Sequence, residues 1–273
     1  MQYKADLHAH TTFSDGDLSP TELIDLAKKK KLSTIAITDH DSISGLDIAI
    51  NYSENLDIEV IPGIELSVDF DGIEVHILGY FIDRKNEELL NYIKLFNKNR
   101  LERAEKIIKR LNNLGVELSI SQVQQFSKNA PICRPHIAKA LYNFGHIKNI
   151  NQAYSKYIGD YAPANVKKEH FPPEHVLKII KNVGGLSFIA HPGRMKEDIL
   201  LKLIKLGIDG IETIHPSHSP AKSKYYKGIV NEYFLLESGG SDFHGGNRND
   251  EQNLGNYFVN DSVINNIKNS ITK

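Results

Sequence analysis

His8-Ala9-His10, followed by Ser14-Asp15-Gly16, is a set of residues able to hold a metal ion. Side chains two apart on a strand point the same way, so both imidazoles can face one point. Residues 11–16 have a turn-like composition that returns Asp15 toward that point. Neutral imidazole and carboxylate together suit zinc, manganese and iron. The same chemistry recurs along the chain: His40 between Asp39 and Asp41, Glu65 and His76, His191 before Pro192-Gly193, His215 and His218, and Asp242 with His244.

The elements around these residues explain the recurrence. Residues 1–7 read as a first strand ending at His8 and His10, and residues 32–38 as a buried strand ending at His40. Ser19-Pro20-Thr21-Glu22 is a helix start, and the lysines at 28–31 suit a helix C-terminus. Residues 59–65 form a strand, with a hairpin turning at Asp71-Gly72 before residues 73–80. Residues 86–114 carry Leu89, Ile93, Phe96, Ala104, Ile107, Ile108 and Leu111 at spacings of three and four, the pattern of one long amphipathic helix. Shorter helices are expected at 121–127, 134–144 and 150–158, so residues 86–165 read as a helical insertion. Strand–helix alternation then resumes, with strands at 185–190, 210–214 and 235–240 ending at His191, His215 and Asp242. The tail is expected to add a strand at 254–259 and a helix at 261–271. In an α/β barrel, C-terminal strand ends converge on one face, where active sites are built. His146, His170 and His175 fall outside this pattern and are assigned to surface or structural roles.

Composition narrows the function classes. The chain of 273 residues is 40% hydrophobic and 25% charged, which suits a single barrel with an insertion. A net charge of −1 supplies no basic field for duplex DNA. No apolar run approaches the roughly 20 residues of a membrane span. One cysteine, Cys133, and no cleavable leader pattern fit a cytoplasmic protein.

The motifs Asp-Leu-His-Ala-His-Thr (6–11), Ser-Asp-Gly (14–16), Thr-Asp-His-Asp (38–41), Pro-Gly-Ile-Glu (62–65), His191-Pro192 and Ser-Asp-Phe-His (241–244) resemble the PHP family, named for polymerase and histidinol phosphatase. The resemblance implies an α/β fold, a distorted (β/α)7 barrel, at residues 1–85 and 166–273, with 86–165 as a lid or substrate-binding insertion. It also implies up to three divalent ions, manganese foremost, with zinc or iron as alternatives. Carried over by motif, His8 and His10 would hold one ion with Glu65 and Asp242. Glu65 would bridge to a second at His76 and His191, and Asp15, His40 and His244 would hold a third. Three carboxylates against three divalent ions leave about +3, a surplus suited to an anionic substrate. The chemistry this charge implies is phosphoester hydrolysis by a metal-bridging hydroxide.

The arginines point to phosphate. Only seven of the 33 basic residues are Arg, and Arg134, Arg194 and Arg248 lie in or beside motif-bearing segments. Guanidinium grips phosphate bidentately, so these three, with His136 beside Arg134, are candidate substrate contacts. His218 is a candidate phosphate ligand or general acid, since imidazole can donate near neutral pH. His215 is read equally as a site residue or a packed one. The insertion and the His-Pro-Ser-His-Ser-Pro stretch resemble the subgroup that removes the 3′-phosphate from 3′,5′-nucleotide bisphosphates and trims short RNA from its 5′ end. The expected partners are therefore a small phosphoester, a nucleotide foremost, and short single-stranded RNA. Histidinol-phosphate phosphatase and a non-catalytic interaction module are the alternatives.

Overall fold

A computed structural model describes residues 3–70, 72–128, 130–167 and 171–271, without the side chain of Arg194. Asp71 of the expected hairpin turn and His170 lie outside the described residues. The elements that carry the site are β1 (Ala5–Asp6), α1 (Pro20–Lys29), β2 (Thr34–Ile37), α2 (Leu46–Ser53), β3 (Glu59–Phe70) and β4 (Ile73–Tyr80). Four helices follow: α3 (Glu87–Asn113), α4 (Ile120–Ser127), α5 (Arg134–Asn143) and α6 (Ile150–Ala153). Alternation resumes with α7 (Pro173–Asn182), β5 (Leu186–Ile189), α8 (Glu197–Lys205), β6 (Gly210–Ile214), α9 (Pro220–Glu232), β7 (Leu236–Gly239) and α10 (Asp261–Ile271).

The sheet runs β1 to β7 in chain order among the described residues. Neighbours are parallel except β4, which is antiparallel to both β3 and β5. The last segment returns to the first: Leu7 N–H donates to Gly239 O at 3.1 Å, and Ala9 and Phe243 form a parallel bridge. The result is a distorted, nearly closed (β/α)7 barrel.

Local chemistry accounts for the elements. All four residues of β2 are buried, as expected of a parallel strand covered on both faces. Ser19 and Glu22 form a reciprocal capping box, Pro20 opens α1, and Leu23, Ile24 and Ala27 bury its inner face. Burying such a leucine or isoleucine contributes about 1.5–3 kcal/mol. Leu7, Ala36, Ile61, Leu78, Tyr80, Phe188 and Ala190 share one core, with the Tyr80 and Phe188 rings 4.9 Å apart.

The chain divides into two compact units, residues 1–90 with 170–273 and residues 91–169. The second unit has its own core, in which Ala104, Ile107 and Leu111 of α3 meet Val123, Ile137, Leu141 and Ile158.

Three expectations need correction. The first strand is only Ala5–Asp6, so His8 and His10 stand beyond it, where an isolated Ala9–Phe243 bridge and the side-chain carboxylates of Asp6 and Asp39 hold the backbone. Residues 254–259 form turns, with only Val259 bridging back to Ala5. The helix at 150–158 widens into a π-helical turn after Ala153, closed by Gly159 N–H donating to Tyr154 O at 2.9 Å.

Candidate metal centre

Two buried carboxylates shape the loop that bears the first histidines. Asp6 accepts from the backbone N–H groups of His8 at 3.2 Å and Ser241 at 2.9 Å, tying the loop to the segment after β7. Asp39, just past β2, accepts from Thr11 N–H at 2.7 Å, Thr11 Oγ1 at 2.6 Å and Ser14 Oγ at 2.5 Å. Gly16 closes the turn because a Cβ there would lie 2.6 Å from His10 O. With the loop so held, the His8 and His10 rings stand 5.2 Å apart.

Glu65 lies at the centre of the cluster. Its Oε2 is 3.3 Å from Nε2 of both His8 and His10, and 3.0 Å from His40 Nδ1. Its Oε1 is 2.8 Å from His76 Nδ1 and 3.0 Å from His191 Nε2. The β3–β4 register explains the His76 contact: Ser67 faces His76, so Glu65, two residues along the same face, is its diagonal neighbour. Neither residue is a strand end; both lie within long strands of the distorted side of the barrel. Asp242 Oδ1 is 3.4 Å from His8 Nε2 and 3.2 Å from His10 Nε2. Asp15 Oδ1 is 3.4 Å from His244 Nε2 and 4.0 Å from His40 Nε2.

These nine side chains form four overlapping donor sets: His10, Asp15, His40 and His244; His8, Glu65 and His191; His8, His10 and Asp242; and His40, Glu65 and His76. Within each set the donor atoms lie within 4.8 Å of one another. His8, His10 and His40 each join two sets, a sharing the motifs alone did not imply. The donor chemistry fits divalent ions. His10 Nε2, Asp15 Oδ1, His40 Nδ1 and His244 Nε2 are buried without a hydrogen bond, although an unsatisfied buried polar group costs about 1–3 kcal/mol. A set of nitrogen and oxygen donors without thiolate suits manganese, iron or zinc.

The electrostatics show what occupies the cluster without metal. Burial opposes charge on His10, yet Asp242 and Glu65 outweigh it and carry its pKa up to about 9. Burial likewise opposes charge on His76, but Glu65 and Glu74 lift it to about 10. His8 rises well above its ordinary value against Glu212, Asp242 and Glu65. At His40 burial prevails, and its pKa falls to about 3. Glu65 and Asp242 are held well below the carboxylate range by neighbouring imidazoles, and Asp15 by Arg248 and His244, all against burial. Protons on imidazole therefore balance three ionised carboxylates where cations would otherwise sit.

The other expected residues fall in several places. Arg248 donates to the Asp15 backbone oxygen at 2.8 Å and pairs with Asp15 Oδ2 at 2.9 Å, so it braces a metal-type carboxylate. Arg134 pairs with Asp160 Oδ1 at 2.6 Å, and His136 Nδ1 accepts from Cys133 N–H at 3.1 Å as part of the α5 cap. Both contacts lie within the helical unit. The side chain of Arg194 lies outside the described residues. His218 Nδ1–H donates to Thr213 O at 3.2 Å, leaving a buried Nε2 without a hydrogen bond. Burial lowers its pKa, so the resting ring is neutral and offers a lone pair at Nε2. Donation from that atom requires prior protonation. His215 Nδ1 accepts from Ser217 N–H at 3.0 Å, which places the proton on Nε2, 3.3 Å from Asp242 Oδ2. His215 thus orients Asp242.

The supporting roles of four carboxylates, Asp6, Asp39, Glu212 and Asp250, were not foreseen from the sequence. Glu212 is a charged residue inside a short strand whose other central residues, Ile211 and Thr213, are fully buried, and that mismatch was the available signal. Asp250 accepts from His244 N–H at 2.6 Å. Beside His76 and His191 a cleft of about 260 Å³ opens, lined by Ile73, Val75, Ala190 and Met195.

The sequence profile of the PHP domain matches residues 6–171. A 5′-3′ exoribonuclease of Haemophilus influenzae is 30% identical over 89% of this chain and 91% of its own length. A 3′,5′-nucleoside bisphosphate phosphatase of Chromobacterium violaceum is 32% identical over 88% of this chain and 86% of its own. A solved structure from Bifidobacterium adolescentis, classed as a metal-dependent phosphoesterase, has a TM-score of 0.88 at 28% identity and covers 96% of this chain and 94% of that one. A match over more than half the chain, on a barrel that gathers this donor set, means that the chain belongs to the PHP family of metal-dependent phosphoesterases.

Proposed function

We propose that this protein hydrolyses the 3′-phosphate of 3′,5′-nucleotide bisphosphates and trims short RNA from the 5′ end. The observation that carries the reading is the nine-residue cluster with its overlapping donor sets. The names of the bisphosphate phosphatase and exoribonuclease relatives support nucleotides as the substrate class. In this reading His8, His10 and Asp242 hold one divalent ion, manganese foremost; Glu65, His76 and His191 hold a second; Asp15, His40 and His244 hold a third. Bound ions supply a water of lowered pKa and cationic clamps for the phosphoryl oxygens.

The chain's own residues do the rest. His215, through Asp242, and Arg248, through Asp15, keep two carboxylates aimed into the cluster. His218 presents Nε2 to an arriving phosphate, whose negative charge draws the ring's pKa back up and turns the atom into a donor. That transition suits both a phosphate ligand and a general acid. Arg194, directly after His191-Pro192-Gly193, is the proposed guanidinium contact to phosphate. Arg134 and His136 stay proposed phosphate contacts of the helical unit. A cytoplasmic setting fits a nucleotide substrate and the buried, unpaired Cys133. Among the described residues no helix is long and apolar enough to cross a membrane.

The test is a substrate panel for the manganese-loaded protein. Adenosine 3′,5′-bisphosphate is expected to lose only its 3′-phosphate, with kcat/KM about tenfold or more above 5′-AMP and histidinol phosphate. Faster turnover of histidinol phosphate would sink the nucleotide reading.

A further inference from the structure

We infer that Glu212 is a positioning residue that sets His8 and His191 jointly for the metal centre. Glu212 lies in the middle of β6, fully buried, with two hydrogen-bond partners among the described residues. Its Oε1 accepts from His8 Nδ1 at 3.0 Å, and its Oε2 from the His191 backbone N–H at 2.6 Å. A carboxylate can only accept, so the first bond fixes the His8 proton on Nδ1. When an ion displaces the ring's other proton, the lone pair is therefore exposed on Nε2, the nitrogen that faces Glu65 and Asp242 at 3.3 and 3.4 Å.

The second bond acts on a strained backbone. His191 has φ 31° and ψ 57°, a left-handed conformation that side chains other than glycine disfavour. It also precedes Pro192, which disfavours helical conformations in the preceding residue. The short bond to Glu212 helps hold this geometry and with it the ring whose Nε2 meets Glu65. One carboxylate from β6 therefore spans residues following β1 and β5. Burying it without a lysine or arginine partner among the described residues is costly, and the two donors it serves are what that cost secures.

Glutamine separates this role from simple packing. Both partners of Glu212 are donors, but an amide offers one acceptor and one NH2 group. Whichever way it turns, one donor meets NH2. The relief available is to move the His8 proton to Nε2, which removes the lone pair facing the cluster.

The inference rests on the metal reading of the cluster, and the test keeps the two apart. Divalent-ion stoichiometry and affinity are measured for wild type and Glu212→Gln, with thermal unfolding of both in chelator and ¹⁵N-histidine spectra of the zinc-loaded proteins. Glu212→Gln is expected to unfold near the wild-type temperature without metal and to bind the ion at His8 about 10–100-fold more weakly. The His8 Nδ1–H signal of wild type is expected to be lost or moved in the variant. Wild-type ion number, affinity and His8 signal in the variant would overturn the inference. If wild type itself bound no ion, the metal reading and the inference would fall together. If Glu212→Gln does not fold, zinc-loaded wild type decides: a protonated Nδ1 with a metal-shifted Nε2 at His8 supports the inference, and the reverse tautomer overturns it.

Discussion

Glu65→Ala is expected to lower kcat/KM by about 10³-fold, some 4 kcal/mol of transition-state stabilisation. Glu65 brings its two oxygens near five imidazoles of the cluster, His8, His10, His40, His76 and His191. Removing it deletes a donor from two of the four sets at once. It also leaves buried imidazoles facing one another without their shared counter-charge, which is the main source of the raised His76 pKa. Metal content measured on the same sample should fall with activity. Glu65→Gln, which keeps volume and removes charge, should move both quantities the same way. Full activity with full metal content in either variant would show that Glu65 does not hold the centre.

The second large effect is on the pH dependence of metal loading. In the metal-free protein His10 and His76 titrate near 9 and 10, and His8 well above its ordinary value. At neutral pH all three carry protons that an incoming ion must displace, whereas His40, near 3, gives up none. Affinity should therefore climb by roughly tenfold per pH unit for each displaced proton until pH passes about 9 to 10. The metal-free protein should show the opposite trend. An imidazole whose pKa is raised on folding contributes stability below its unfolded value of about 6.5 and loses it as pH rises through the folded value. The metal-free fold thus loses stability progressively as pH rises from about 6.5 to about 9 and 10, while the loaded fold keeps its metal there. Calorimetric titration of manganese across pH, beside unfolding curves with and without chelator, reads both trends. Metal affinity independent of pH would contradict the charge balance described for the cluster.

Most of the metal-type residues drew notice in the sequence because they follow short strands, whereas Glu65 and His76 lie inside the long β3 and β4, where the hairpin signal placed them on paired strands. The helical insertion was legible from three-and-four spacing over α3. The role of Glu212 was not, because its partner lies far away in sequence: 204 residues separate His8 from Glu212. Local patterning carries no information about such a pair. The brief first strand escaped for a related reason. Beyond Asp6 only Ala9 makes a bridge, to Phe243, and Asp6, Asp39 and Thr38 add side-chain bonds to the backbone there. Arg248 was expected as a phosphate contact; its pairing with Asp15 was not foreseen, because it depends on how two distant loops pack. The turns at 254–259 have a strand-like composition, and only Val259 reaches a partner.

The most direct test of the account is a manganese titration of chelator-stripped protein, following phosphate release from adenosine 3′,5′-bisphosphate at each step. The stripped protein is expected to show no turnover. Activity should then rise with bound ion and saturate when the cluster is filled, with 5′-AMP as the accumulating product. Undiminished phosphate release by fully stripped protein, or saturating manganese bound with no hydrolysis of any phosphoester, would contradict it.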